Sequence, residues 1–531
     1  VYQYLDRTAD DPKAVAGIDA LGGRPMMKAD DRKALAPTND FGDFDYDLAN
    51  LIMDWSVLDH EVTGVIGYQD SHKKSRTEVD RANSLQYTDT LAPSFRGSTT
   101  DVESWVFELR AASMDNTFWN YMVGLYYQDQ NTTTVSDANG VRLPSGLGLA
   151  TSIDLPVDTN NFAVFTFNTF DLTDTVQLEL GLRWTEYDQF RRADVNFTGL
   201  TYVPPALIPQ EELIIDAFNN RFPIEGVPAD KDASKDDAVT GSVALRWDWT
   251  DNTNLYASYN RGYRPGGISI VPSPTIEFLP DGVDDLLYDE ETSGAFEVGF
   301  KSRLWDDRAT LNGALYYQIF DGYLGFVRGI QVLNNEGQPE DLPGGLVYNG
   351  DANIWGVEFD GQVLLGETWS AGGSLSYSKG EWDGASAPCN DREPGQSLGM
   401  CDIDGEALGG EPEWSFSLNS EYYIPVGNDT EAYVRGLFKY TDDRVNTDAS
   451  AGLYSVPEDF GSYQVLDLFV GWRSSSYTWD VSLWAKNVLD EDAVIYQQGP
   501  DQYDLQVSGG SYSQTNSIPE RTIGIMARYS F

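Results

Sequence analysis

Apolar side chains recur at every second residue along most of the chain, and the segments carrying this pattern are joined alternately by very short turns and long polar stretches. In Trp105 to Ala111, Phe107 and Leu109 oppose Glu108 and Arg110; in Val176 to Trp184, Leu178, Leu180 and Leu182 oppose Gln177, Glu179 and Arg183. Thr292 to Leu304 sets Phe296, Val298 and Phe300 against Glu297, Lys301 and Arg303. A period of two is that of β-strands with unlike faces. Short turns are expected at Leu58-Asp59, Met114-Asp115-Asn116, Leu172-Thr173-Asp174, Thr250-Asp251-Asn252, Trp305-Asp306-Asp307, Gly366-Glu367, Gly427-Asn428-Asp429 and Ser474-Ser475-Ser476. Long segments run, for example, over 6–43, 191–236, 265–289, 384–410 and 491–519.

A soluble β-sandwich also alternates, but its strands are about five or six residues long. Strands of about ten or more recur here, the length that a tilted strand needs to cross a bilayer. Trp55, Trp119, Trp247, Trp249, Trp305, Trp369, Trp472 and Trp479 stand beside the short turns, as an interfacial girdle requires. No apolar run is long enough for a membrane helix, and the mean hydropathy of −0.39 is compatible with strands that hide their apolar face in alternation. The predicted fold is all-β: a transmembrane antiparallel β-barrel with about 18 strands present. Arg521 to Phe531 alternates and ends on Tyr529 and Phe531, an ending that resembles the assembly signal of bacterial outer-membrane barrels.

Thirty-five basic against eighty-four acidic residues give a formal charge of −49, spread along the chain, which disfavours nucleic acid as a partner. Cys389 and Cys401 flank a polar segment far from His60 and His72. That spacing favours a loop disulfide in an oxidising compartment over a metal site. No nucleophile-base constellation or phosphate-cradling loop is present, so neither an enzyme nor a cofactor is expected.

Asn254 to Gly267 reads NLYASYNRGYRPGG, and it is followed in order by Tyr288-Asp289-Glu290-Glu291, Phe296-Glu297-Val298-Gly299-Phe300-Lys301-Ser302 and Ala314-Leu315-Tyr316-Tyr317. Next come Asn349-Gly350-Asp351-Ala352, Gly356-Val357-Glu358, Ala485-Lys486-Asn487-Val488-Leu489-Asp490 and Arg521-Thr522-Ile523-Gly524. Together these segments resemble TonB-dependent outer-membrane receptors. The resemblance implies a barrel of about 22 strands around an amino-terminal plug. Residues 1–531 then form a receptor-type barrel incomplete at its amino-terminus, with four strands, the plug and the TonB-contacting segment absent. Strand parity also allows an 18-stranded barrel to close on itself.

The resemblance implies a bacterial outer-membrane receptor that takes up a scarce nutrient, typically a ferric siderophore or other iron complex, with energy from a TonB-type complex acting through the plug. A plugless, cation-favouring diffusion channel is the alternative. Membrane lipid and lipopolysaccharide are the expected surroundings. Arg261, Tyr263 and Arg264 are placed at the outer rim, where they either brace loops and anchor lipopolysaccharide or contact an anionic or aromatic ligand. Glu108, Arg110, Glu179, Arg183, Glu297, Lys301 and Arg303 are expected to face the lumen and to pair with one another or with a plug. Acidic loops around Asp281 to Glu291 and Asp391 to Glu406 lack the spacing of a calcium site.

Overall fold

A computed structural model describes residues 2–530 except 11–13, 18–40, 79–94, 115–117, 143–147, 192–193, 203–209, 211–212, 217–232, 270–278, 328–329, 334–336, 342–344, 446–459 and 498–511. Eighteen strands follow one another in chain order, each paired antiparallel with the next. The first six are β1 (Tyr2–Asp10), β2 (Phe41–Val57), β3 (His60–Glu78), β4 (Phe95–Ser113), β5 (Trp119–Arg142) and β6 (Gly148–Thr173). β7 (Val176–Arg191), β8 (Ala233–Thr250), β9 (Thr253–Arg264), β10 (Glu291–Leu304), β11 (Ala309–Val327) and β12 (Leu346–Leu364) continue the wall. It ends with β13 (Trp369–Trp382), β14 (Trp414–Val426), β15 (Thr430–Thr441), β16 (Tyr463–Ser474), β17 (Trp479–Lys486) and β18 (Thr522–Tyr529). Among the described residues no register joins β1 to β18.

Seven of the eight short turns fall where the sequence places them, all at one end of the wall, while Asp115 and Asn116 of the eighth lie outside the described residues, between strands that end at Ser113 and begin at Trp119. Local backbone chemistry sets them: Trp305, Asp306 and Asp307 adopt φ between 56° and 63°, and Gly366 and Gly427 adopt 86° and 74°. The opposite end carries the long connections. One expectation needs correcting there. Asp194–Tyr202, inside a stretch read as loop, is a strand that pairs with Gly148–Asp154 of β6. β5 and β6 run for 24 and 26 residues, well beyond what a bilayer requires; the outer end of β6, paired with β5 on one side, supplies the backbone partners for that strand on the other.

The faces separate as the alternation demands. Leu51, Phe107, Leu125, Val164, Leu182, Val243, Val298, Leu315, Leu418, Val470 and Leu483 share the outward face and are exposed. In water this would be a severe liability; against acyl chains it is the favourable state. The turn-end tryptophans share that face. A second aromatic ring, which the sequence reading did not identify, lies toward the loop end. There Tyr68 packs on Trp105, Tyr259 on Phe296, and Tyr377 on both Trp355 and Trp414, at centroid distances of 4.6, 4.7, 5.0 and 4.6 Å.

From Trp119 to Tyr127 on β5 the two rings are separated by about 26 Å of strand. At a tilt of roughly 40° that is about 20 Å of height, close to the apolar band of an outer-membrane barrel. Val123 sits midway, exposed on this face. Val123→Arg is predicted to lower stability by about 2 to 4 kcal/mol in refolding titrations, the cost of a midplane charge; an unchanged midpoint would contradict the assigned facing.

Candidate functional site

The inward face is polar and largely self-paired. On β4, Arg110 pairs with Glu108 at 3.3 Å, and across β7 and β8 Arg246 pairs with Glu179 at 3.1 Å. Glu179 thus meets Arg246 and not Arg183. Arg183 donates to Thr185 at 3.0 Å and lies over the rings of Tyr126 and Phe165, at 5.0 and 5.8 Å. Phe165 can cross the lumen wall there because residue 124 is glycine: a Cβ would stand 2.2 Å from its ring. Glu297 accepts a 2.6 Å hydrogen bond from Tyr256, over whose ring Lys301 lies at 5.9 Å. Arg303 sits at the turn end, bound to Asp307 at 3.4 Å and to the carbonyl of Asp251 at 3.0 Å.

The three rim candidates do not converge. By strand alternation Arg261 shares the face of Tyr259, whereas Arg264 belongs to the lumen side, and both are exposed. Tyr263 is half-buried, and burial, then Asp236 and Glu290, push its phenol well above the usual range. Arg264 partly offsets the burial that raises Tyr323. Tyr529 lies exposed opposite Trp479 at the turn end. Phe531, the other half of the expected terminal signal, lies outside the described residues.

Above the wall, the connections after β9, β11 and β13 form one cap. Ile268, Leu279 and Leu286 from the first pack with Ile330 and Val332 from the second and with Val327 and Leu346 of the strands they join. Leu398 from the third connection closes over them. A second cluster gathers Phe320, Ala352, Trp382 and Ala385. Polar bonds tie the same segments. Asn349 receives the amide of Asp289 at 2.8 Å and donates to the carbonyls of Asp289 and Gly322 at 3.1 and 2.8 Å; Arg392 reaches the carbonyl of Gln331 at 2.7 Å. Cys389 and Cys401 are disulfide-bonded across a two-stranded piece of the third connection, with Cα atoms 5.8 Å apart.

At the turn end of the lumen is a cluster that the sequence reading did not single out. Arg473, with its side chain 9% exposed, binds Glu421 at 2.7 Å and pairs with Glu431. Its guanidinium lies 4.8 Å from the centroid of the Tyr433 ring, and the Tyr433 hydroxyl donates to Asp480 at 2.9 Å. The ring covers Gly471, where a Cβ would approach to 2.8 Å. Parity could have assigned these residues to the lumen; only register brings Glu431 opposite Arg473.

A wall of antiparallel strands, apolar outside, polar inside and ringed by aromatics, defines an outer-membrane β-barrel. The family model "TonB dependent receptor-like, beta-barrel" matches residues 2–488. The chain belongs to the TonB-dependent receptor family, a family of outer-membrane transport receptors. It is 25% identical over 274 residues to the pesticin receptor of Yersinia enterocolitica, covering 50% of this chain and 32% of that protein. The match thus spans about a third of the length of that relative. In fold it is similar to the ferric yersiniabactin uptake receptor FyuA of Yersinia pestis, with TM-score 0.65, 16% identity, and coverage of 100% of this chain and 67% of that one. The siderophore receptor PiuA of Acinetobacter baumannii gives 0.64, 14%, 99% and 70%; the pyoverdine receptor FpvA of Pseudomonas aeruginosa gives 0.62, 12%, 100% and 68%.

Two predictions come from this geometry. Arg473→Met leaves Glu421 and Glu431 unpaired and is expected to destabilise the barrel by about 3 to 5 kcal/mol. Adding Glu431→Gln should restore part of that loss, and additive losses in the refolding titrations would contradict the pairing. In the cap, burial and then Glu406 raise the phenol of Tyr348 to about 12. Its ordinary value is 10.0, so this group's contribution to the cap is full below pH 10 and is lost as pH rises toward 12. The difference between phenolate titrations of wild type and Tyr348→Phe should show one group titrating near 12; a group titrating near 10 would contradict its burial.

Proposed function

We propose that this chain is the barrel of an energised receptor for a scarce nutrient, a ferric siderophore or other iron complex, captured at the extracellular mouth and released inward. The observation that carries the reading is the capped mouth above a polar lumen. Three connections spend apolar residues on a common core and a disulfide on one of them, a costly arrangement for an open pore and a suitable frame for holding a ligand. Solved structures of similar fold include receptors for ferric yersiniabactin and pyoverdine. In the whole protein, energy would reach the barrel from a TonB-type complex through an amino-terminal plug, and lipopolysaccharide would surround the rim near Arg261. No catalytic step is assigned to the chain.

The formal charge of −49 and the acidic connections favour a second reading, a plugless cation-favouring channel. Protein isolated from its native outer membrane separates the two. An energised receptor gives no steady current in planar bilayers, and cells carrying it take up radiolabelled ferric complexes until a protonophore is added. A steady cation-selective current, with uptake indifferent to the protonophore, would contradict the receptor reading.

A further inference from the structure

One band of the inward wall differs from the rest of this acidic chain. Register places Gln69 of β3, Ser104 of β4, Gln130 of β5, Thr159 of β6 and Gln189 of β7 side by side in a single row across five strands. All five are uncharged, and each carries an amide or hydroxyl. The row beneath adds Gln128, Asn161 and Tyr187. The groups are already linked: Tyr126 donates to Gln128 at 3.0 Å, Gln128 to Gln130 at 3.1 Å and Gln130 to Thr132 at 3.3 Å, while Gln189 donates to Tyr187 at 2.8 Å and to Thr159 at 3.1 Å.

The network is incomplete. Gln189 is 5% exposed, and its Oε1 has no hydrogen-bond partner among the described residues; the Oδ1 of half-buried Asn161 is in the same position. Buried amide oxygens are normally satisfied, and these two lack a donor. A carboxylate, phosphate or catecholate anion offers only acceptors, whereas a neutral ligand with hydroxyl or amide N–H groups supplies donors as well as acceptors. Of the nearest formal charges on this face, Arg110 is held by Glu108, Arg183 lies over aromatic rings, and Asp236 is negative; Arg191, two residues beyond Gln189, donates to Tyr288 at 3.2 Å and keeps its Nε without a partner among the described residues. Above, the mouth carries Asp289, Glu290 and Glu291 beside Arg264. The acidic mouth disfavours an anionic cargo along this route, and the row itself offers it no charge, Arg191 at its edge being the one cation close by that lacks a carboxylate partner and an Nε partner among the described residues.

The geometry points to a cargo without net negative charge: an uncharged ferric complex of the hydroxamate class whose scaffold carries amide N–H or hydroxyl donors, held on the Gln69-Gln130-Gln189 band by neutral hydrogen bonds. This rests on the receptor reading above and adds to it the charge and chemistry of the ligand.

The test uses the complete receptor purified from its native outer membrane and titrated calorimetrically with three probes: a neutral ferric trihydroxamate, a trianionic ferric tris-catecholate and a neutral oligosaccharide. The trihydroxamate is expected to bind at least about tenfold more tightly than the tris-catecholate, with little dependence on salt. Gln130→Ala should weaken the trihydroxamate about tenfold while leaving heat-modifiability on gels unchanged. Equal or tighter binding of the tris-catecholate would overturn this inference and leave iron uptake standing. Binding of the oligosaccharide with neither ferric complex bound would overturn the iron reading and this inference with it. Unchanged trihydroxamate affinity in Gln130→Ala and in a second variant, Gln69→Ala, would remove the band as its site.

Discussion

In a bilayer, every backbone N–H and C=O of a spanning segment needs a partner within the protein, because hydrocarbon supplies none and each unpaired group costs several kcal/mol. The rest of this structure depends on that constraint. Its strands meet it through continuous antiparallel ladders such as β3 against β4, paired from His60 with Ser113 to Glu78 with Phe95. Once the ladders are fixed, side chains have only two directions. Phe107 and Leu109 must meet lipid, and Glu108 and Arg110 must meet the lumen. The polar interior therefore follows from the same geometry as the apolar exterior.

The two ends then diverge for a physical reason. Turn-end connections are two to five residues long and are fixed by left-handed residues and by neighbouring tryptophans. Loop-end connections are mostly much longer and must bury something of their own to be ordered. Those after β9, β11 and β13 do so jointly, around Ile330, Val332 and Leu286, each no more than 1% exposed. The lumen joins the two regimes. Near the turns it holds the densely paired Arg473 cluster; toward the mouth it offers the uncharged row centred on Gln130.

What the sequence discloses tracks the range of the interactions involved. Strands and turns were legible because period-two alternation and turn chemistry are local: the Trp305 to Asp307 turn and the Phe296-Val298-Phe300 face can be read from adjacent residues. The family was legible too, through motifs such as Asn254 to Gly267. The cap was not, since Arg392 meets Gln331 and Asp289 meets Asn349 across about 60 residues of chain. Register hid the rest. Glu431 opposite Arg473, and five uncharged side chains in one row, cannot be seen until strands are aligned. The same limit applies to Glu179: alternation gives it the lumen side, but only register shows that its partner is Arg246 on the next strand. The strand at Asp194–Tyr202 was missed because it completes a ladder above the membrane, where a lipid-facing pattern is not needed.

The most direct test is a nitroxide scan of β5 in the native outer membrane, one label at a time from Trp119 to Thr132, recording collision with oxygen and with a water-soluble nickel complex. The assignment of faces predicts oxygen collisions that peak at every odd position from 119 to 127, with nickel access confined to even positions and to residues beyond Tyr127. Absence of a two-residue period, or oxygen peaks at Gly124, Tyr126 and Gln128, would mean that the wall does not meet lipid as described.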